Sequence, residues 1–203
     1  MTLQSPLSND LVGQLRNKKY LKKHLSQLEK HDVDSLAHSL RVGALAMDIG
    51  QQNHLSKKDI VLLGTAGLLH DLGKCDIPKK ILTKKSALTR DERREIEKHP
   101  QYGFLRLTEK AFATARKVVV AHHEYTPTPY PRKSLRRGKE FTHTASGTNL
   151  PFITQILAVS DMFDALANQR SYKKAFAKTE VRQILRTQFT GEKKLIEQAL
   201  ERF

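Results

Sequence analysis

Helix breakers are scarce in this chain, and that scarcity sets its fold class. Seven prolines and ten glycines are spread over 203 residues. Apolar residues recur mostly at the three- and four-residue spacing of an α-helix. The expectation is an all-α fold. Leu11 to Lys30 reads as a basic amphipathic helix with Leu15, Leu21, Leu25 and Leu28 as its apolar stripe. Helices follow over about Asp34–Gln52 and Lys57–Leu69, the second opened by the capping pattern Ser56-Lys57-Lys58-Asp59. A second capping box at Thr89 to Glu92 starts a helix expected to end at His99-Pro100, because proline disfavours helical geometry in the residue before it. Glu109–Glu124, Phe152–Asn168, Glu180–Thr190 and Lys193–Phe203 complete the helical count, with Pro151 suited to a first helical position. Between them, Thr126 to Asn149 has no apolar periodicity and is expected to be a long irregular basic loop.

The length suits one domain, with residues 1–30 as a helical lead-in to the same unit and 31–203 as its main body. One cysteine, Cys75, excludes an internal disulfide and a cysteine-rich zinc module. Lys and Arg total 36 against 21 Asp and Glu, a formal charge of +15 that favours anionic partners. No apolar run approaches the roughly 18 residues of a membrane span, and Met1–Asp10 lacks a signal pattern. A cytoplasmic chain without stable membrane contact is therefore expected. The basic segment 132–139 has no interleaved aromatics for base stacking, which argues against nucleic acid and leaves a protein partner as its alternative use.

The histidines point to chemistry. His38, His70, His99, His122 and His123 all fall near predicted helix ends or on apolar helix faces. His70-Asp71 joins an imidazole to a carboxylate, the two ligand types that together suit iron, manganese or zinc. Asp161 lies inside an apolar run, Ile156 to Phe163, where a buried carboxylate needs a partner and a metal is one. Taken singly, each of these residues is equally an ordinary hydrogen-bonded core group. His31-Asp32, a second such dipeptide in a polar stretch, shows that the pair arises without a site.

In order, the chain carries His38-Ser39-Leu40-Arg41-Val42, His70-Asp71-Leu72-Gly73-Lys74, Ile77-Pro78, His99-Pro100, His122-His123-Glu124, Asp161 with Phe163-Asp164-Ala165-Leu166, and Arg170-Ser171-Tyr172-Lys173. Lys84 with Leu88-Thr89 adds a segment between the second and third histidine motifs. This series resembles the HD-GYP family, a branch of the HD metal-dependent phosphohydrolases, from about residue 31 to the C-terminus.

The resemblance implies an HD-domain helical bundle around two or three divalent ions. Iron and manganese are favoured, and zinc and nickel are compatible. The implied ligands are His38, His70, Asp71, His99, His122, His123 and Asp161, with Asp71 bridging two ions. Trinuclear members carry a Glu four residues before the first histidine. Asp34 holds that position here, where i to i+4 spacing sets it on the face of His38. A first-turn carboxylate complementing the helix dipole is the other reading of Asp34. Two ions about 3.5–4 Å apart, as the resemblance implies, could share a hydroxide and aim it in line at phosphorus. Lys74, one turn from Asp71, is implied to contact a phosphate oxygen. Tyr130, Arg170 and Lys173 are implied substrate contacts, and the implied substrate is an anionic cyclic dinucleotide.

The family's Gly-Tyr-Pro appears here as Pro129-Tyr130-Pro131, without the Trp-Asp-Gly that precedes it in the family. Proline fixes φ and has no N–H, so this loop differs in conformation from a glycine loop. The leading expectation is a phosphodiesterase that opens cyclic di-GMP to a linear dinucleotide or GMP. An HD phosphohydrolase for another nucleotide or phosphodiester, and a non-catalytic metal-containing module that binds a nucleotide or a partner, are the alternatives.

Overall fold

The computed structural model describes residues 6–130, 150–168 and 175–203. Among the described residues there are helices and irregular segments but no strands. The order is α1 (Pro6–Arg16), α2 (Lys19–His31), α3 (Val33–Gln52), α4 (Lys57–Leu69), a 3-10 turn at Leu72–Asp76, α5 (Lys79–Leu82), α6 (Arg90–Ile96), α7 (His99–Arg106), a second 3-10 turn at Lys110–Phe112, α8 (Ala115–Ala121), α9 (Leu150–Ala167), α10 (Lys178–Gln188) and α11 (Lys194–Leu200). The all-α expectation holds. Both capping sites form as well. Ser56 Oγ accepts from the Asp59 N–H, and Thr89 and Glu92 cap each other's backbone N–H groups. Lys84 donates to both Glu92 carboxylate oxygens, at 2.8 and 2.6 Å, so the lysine that precedes Leu88-Thr89 braces this helix start.

Three helix boundaries depart from the sequence expectation, two for packing reasons and one for proline's place in a helix. Leu11–Lys30 is two helices, broken before Lys18, whose φ of −64° and ψ of 129° are extended. On one continuous helix Leu15 and Leu21 would stand roughly 120° apart. The break lets both face the core, at 7% and 0% exposure. Glu109–Glu124 likewise divides. Phe112 is fully buried against the rings of Tyr20 and His24 on α2, whereas Val118 and Val119 of α8 pack in the central core. Finally, α6 stops at Ile96, and His99-Pro100 opens α7 rather than closing a helix. Proline tolerates a first turn because its missing N–H would have no intrahelical partner there.

The centre of the bundle is α3 against α4 and α9, with α8 beside α4 and α9. α1 and α2 cover α3 and α4 through Val12, Leu15, Leu21, Leu25 and Leu28, all buried. α10 and α11 close the other side of α9. α9 is 18 residues long with a mean hydropathy of 1.3, so it meets the length and apolarity of a membrane span where none was expected. Most of it is buried among the other helices, and it carries Asp161 and Asp164 inward.

α3 and α4 approach closely because glycines face each other. A Cβ on Gly67 would lie 2.5 Å from the Gly43 Cα and 2.9 Å from its nitrogen, with no side chain to give way. Gly67→Ala is expected to lower stability by about 1–3 kcal/mol, the usual cost of overpacking a core. Gly13→Ala in α1, where a Cβ meets nothing within 4 Å, is expected to be neutral or to stabilise by up to about 1 kcal/mol from helix propensity. Thermal melts of the two variants beside the parent check the contrast.

Candidate metal centre

Five helices bring the chemistry-bearing side chains to one point. His38 lies inside α3, His70 and Asp71 follow the last turn of α4, His99 opens α7, His122 and His123 follow α8, and Asp161 lies inside α9. Gly73 makes the assembly possible. A Cβ there would sit 1.9 Å from the His99 carbonyl oxygen and 2.4 Å from the Gly103 nitrogen, so only glycine lets the start of α7 rest on the turn after Asp71.

The imidazoles are aimed by acceptors behind them. His70 Nδ1 donates to the Gly67 carbonyl at 2.8 Å, His99 Nδ1 to Ile96 at 2.8 Å and His122 Nδ1 to Val119 at 2.5 Å. Each carbonyl belongs to a helix end, where the last four lack intrahelical partners. Carbonyl oxygens only accept, so Nδ1 carries a proton and Nε2 points forward. His38 has no helix end behind it. Its Nδ1 donates instead to Asp164 Oδ2 at 2.6 Å.

The forward-facing atoms converge. His38 Nε2 is 3.3 Å from His70 Nε2 and 2.9 Å from Asp161 Oδ1, and His99 Nε2 is 3.3 Å from His122 Nε2. Asp71 Oδ2 lies 3.5 Å from His70 Nε2 and 3.8 Å from His38 Nε2, while its Oδ1 lies 3.4 Å from His99 Nε2. His123 Nε2 is 3.9 Å from Asp161 Oδ2. Within the triads His38–His70–Asp161, His70–Asp71–His122 and His99–His122–His123, the ligand atoms lie within 4.8 Å of one another.

Charge makes the arrangement more telling. Burial drives the His99 pKa down to about 3, against the pull of Asp71, and takes His123 down to about 4. Burial and the neighbouring imidazoles hold His122 well below its ordinary value. Burial would lower His70 too, but the Asp71 and Asp161 charges outweigh it and leave that pKa raised. Burial would raise Asp71, yet Lys74 foremost, then His70, hold it well below the usual carboxylate range. Hydrogen bonds from His38 and His70 do the same for Asp161. His99 and His122 are thus neutral imidazoles with lone pair facing lone pair, and no hydrogen lies between them. A cation resolves that contact, and imidazole with carboxylate is the donor set that divalent transition metals take. The residues fit a metal centre.

Other expected site residues divide. Lys74 Nζ donates to Asp71 Oδ2 at 2.6 Å, with its side chain 16% exposed. The Tyr130 ring stacks on His123, centroids 4.3 Å apart and 26° from parallel, so it walls one side of the cluster. Asp34 is not brought in. It is exposed in the first turn of α3 and outside the three triads, while Ser35 and Leu36 of the same turn are the ones buried. Arg170, Lys173 and the basic segment 132–139 lie outside the described residues. Three neighbours of His38 were not given roles from sequence: Asp164, Arg41 and Asn168. Arg41 donates Nε to Asp164 Oδ1 at 2.7 Å and an η-nitrogen to Oδ2 at 2.9 Å, and Asn168 Nδ2 donates to Oδ1 at 2.8 Å. Their signal was spacing: Arg41 follows His38, and Asp164 follows Asp161, by three residues on helices that pack together.

A family model described as an HD domain matches residues 17–190. The cyclic di-GMP phosphodiesterase response regulator RpfG of Xanthomonas campestris pv. campestris is 29% identical over 165 residues, which are 79% of this chain and 41% of that protein. A 3'3'-cGAMP-specific phosphodiesterase 2 of Vibrio cholerae is 28% identical over 86% of this chain and 32% of its own length. A cyclic di-GMP phosphodiesterase of Thermotoga maritima is 30% identical over 71% of this chain and 38% of its own. The chain therefore spans less than half the length of these curated relatives. Among solved structures, the HD domain of the L. monocytogenes phosphodiesterase PgpH in complex with cyclic-di-AMP superposes with a TM-score of 0.58 at 16% identity. That superposition covers 88% of this chain and 92% of that one, and it shows a shared fold.

Metal supply is expected to show in stability before any substrate is added. Divalent ion at 100 times its dissociation constant stabilises the folded chain by about 2.7 kcal/mol. The melting temperature should rise on adding Mn(II) and fall with chelator, and His70→Ala or Asp71→Ala should lose both the bound metal and the rise. A melt indifferent to metal and chelator would remove the centre.

Proposed function

The chain belongs to the HD domain family, and from that membership we propose that it is a metal-dependent phosphodiesterase whose substrate is a cyclic dinucleotide, cyclic di-GMP first. The observation that carries this is the convergence of five imidazoles and two carboxylates on one point inside a helical bundle, with the His99 and His122 lone pairs facing each other. His38, His70, Asp71, His99, His122, His123 and Asp161 are the proposed ligands of two divalent ions, iron or manganese in the first place. When bound, such ions supply a Lewis acid that lowers the pKa of water and neutralises charge on phosphoryl oxygens.

The chain's own residues define how substrate meets that centre. His38, His70 and Asp71 have side chains 0–3% exposed, whereas Asp161, His123 and Lys74 are 11%, 16% and 16% exposed. The approach is from the side of Asp161, His123 and Lys74. There Tyr130, stacked on His123, offers an aromatic face and a phenolic hydroxyl. Burial raises the Tyr130 pKa well above its ordinary value, so the hydroxyl keeps its proton and donates. The Lys74 ammonium lies within reach of any phosphate seated beside Asp71. Arg170 and Lys173 are proposed further contacts to the nucleotide, and Asp34 is left out of the ligand set.

A second substrate has its own support. Pro129 replaces the family's glycine beside Tyr130, and two Vibrio cholerae relatives are named for 3'3'-cGAMP. The linker between the two phosphates is shared by both substrates, so the metal-holding residues serve either, and the loop around Pro129 selects between them.

The test is turnover of cyclic di-GMP and 3'3'-cGAMP by the chain purified anaerobically and reconstituted with Fe(II) or Mn(II), with metal counted on the same sample. A linear dinucleotide or GMP is expected. Lys74→Ala should keep its metal and lose roughly 10²-fold in kcat, the usual cost of removing one donor to developing charge. Full metal with no hydrolysis of either dinucleotide overturns the assignment.

A further inference from the structure

We infer that Asp164 is a positioning residue for one half of the centre: its carboxylate holds His38 in place, so the His38–His70–Asp161 pocket depends on it while the His99–His122–His123 pocket does not. This rests on the proposed metal centre and deepens it by making the two ion positions unequal.

The inequality starts from helix geometry. His70, His99 and His122 each stand where a helix ends and a carbonyl three residues back is open to accept Nδ1–H. His38 is six residues into the 20-residue α3, where the preceding carbonyls are engaged in the helix's own ladder. A mid-helix histidine needs an acceptor from another element, and α9 supplies Asp164 at 2.6 Å. Asp161, three residues earlier on α9, meets the other nitrogen of the same ring at 2.9 Å. One helix face therefore supplies both a proposed ligand and the group that orients its neighbour.

Asp164 is itself held rigidly. It is 2% exposed, and Arg41 grips both of its oxygens while Asn168 donates to one. Arg41 comes from α3, one turn after His38, so the carboxylate is clamped between the helix it serves and its own. A carboxylate behind a ligating imidazole fixes its tautomer and raises its basicity more than a backbone carbonyl does. His99 and His122 have only carbonyls behind them, and no carboxylate is recorded behind His123 among the described residues. Removing the Asp164 charge therefore weakens His38 and leaves the far pocket untouched.

The experiment is a metal-binding isotherm, ions per chain against free Mn(II), for the parent, Asp164→Asn, Asp164→Ala and His38→Ala. The parent should reach two ions. In both Asp164 variants one ion should weaken by about 10–100-fold, the usual effect of losing such a partner, and the other should stay within about twofold. His38→Ala should weaken the same single ion. Co(II) in place of Mn(II) supplies a spectroscopic check, because the surviving ion's absorption bands should match in Asp164→Asn and His38→Ala. Asp164→Asn keeps the side chain's volume, so it decides the matter if the alanine variant fails to fold. A folded Asp164→Asn that holds both ions as the parent does, or loses both alike, overturns the inference and leaves the metal centre standing. A parent chain that binds no metal overturns both.

Discussion

The bond on which the site depends is the one from a histidine Nδ1–H to an oxygen directly behind it. A helix that stops leaves carbonyls without partners, and here three such ends meet, from α4, α6 and α8. An open carbonyl in an interior is costly, and an imidazole three residues on satisfies it. The same bond turns the opposite nitrogen into the cavity, and on the neutral His99 and His122 its lone pair is bare. Backbone satisfaction and ligand orientation are thus one interaction, and the fold's helix ends are placed where the chemistry needs them. His70, His99 and His122 are fixed in this way before any ion arrives.

Such convergence demands that helices meet at short range. Gly43 and Gly67 let α3 and α4 touch backbone to backbone, which carries His38 and His70 to 3.3 Å. Gly73 lets the first residue of α7 rest on the turn after Asp71, which places His99 Nε2 3.4 Å from that carboxylate. A methyl group on Gly67 or on Gly73 would press into the facing backbone at these contacts. The apolar remainder of the bundle, Leu45, Leu68, Val119, Leu157 and their neighbours, then shields these contacts from water and gives the cluster its low-dielectric setting.

Much of this was legible in the sequence, and the rest was hidden for identifiable reasons. Helical periodicity gave the bundle, because apolar spacing is a local property that survives folding. Both capping patterns held, since a side chain that reaches three residues along needs no tertiary help. The histidine and aspartate series was readable as an ordered set, and His38, His70, Asp71, His99, His122, His123 and Asp161 do meet. Failures came where tertiary contacts overrode local pattern. The break between α1 and α2, and the division before α8, depend on which helix each leucine or phenylalanine faces, which one-dimensional spacing does not contain. Asp34 shares a nominal face with His38 but is exposed, since the first turn buries Ser35 and Leu36 instead, a choice of side that the packing of α3 makes. Asp164 stood in the quoted motif without a role, because its work is visible only once α9 lies against α3.

Electrostatics joins these parts. The interior cluster brings two carboxylates, Asp71 and Asp161, to donors that are otherwise mostly neutral imidazoles. Two divalent ions held there would more than balance it and would leave a surplus of positive charge, which suits an anion. A third carboxylate close behind His38 would erode that surplus if it stood alone. It does not, because the Arg41 guanidinium pairs with both Asp164 oxygens inside the bundle. The local charge of that pair is cancelled while the hydrogen bond to His38 is kept. Lys74 acts in the same sense on the open side, drawing Asp71 further toward its ionised form and holding an ammonium at the more exposed edge of the cluster. With a chain that is strongly basic overall, the field around the opening draws anions in, and the ligands' own charges stay buried beneath it.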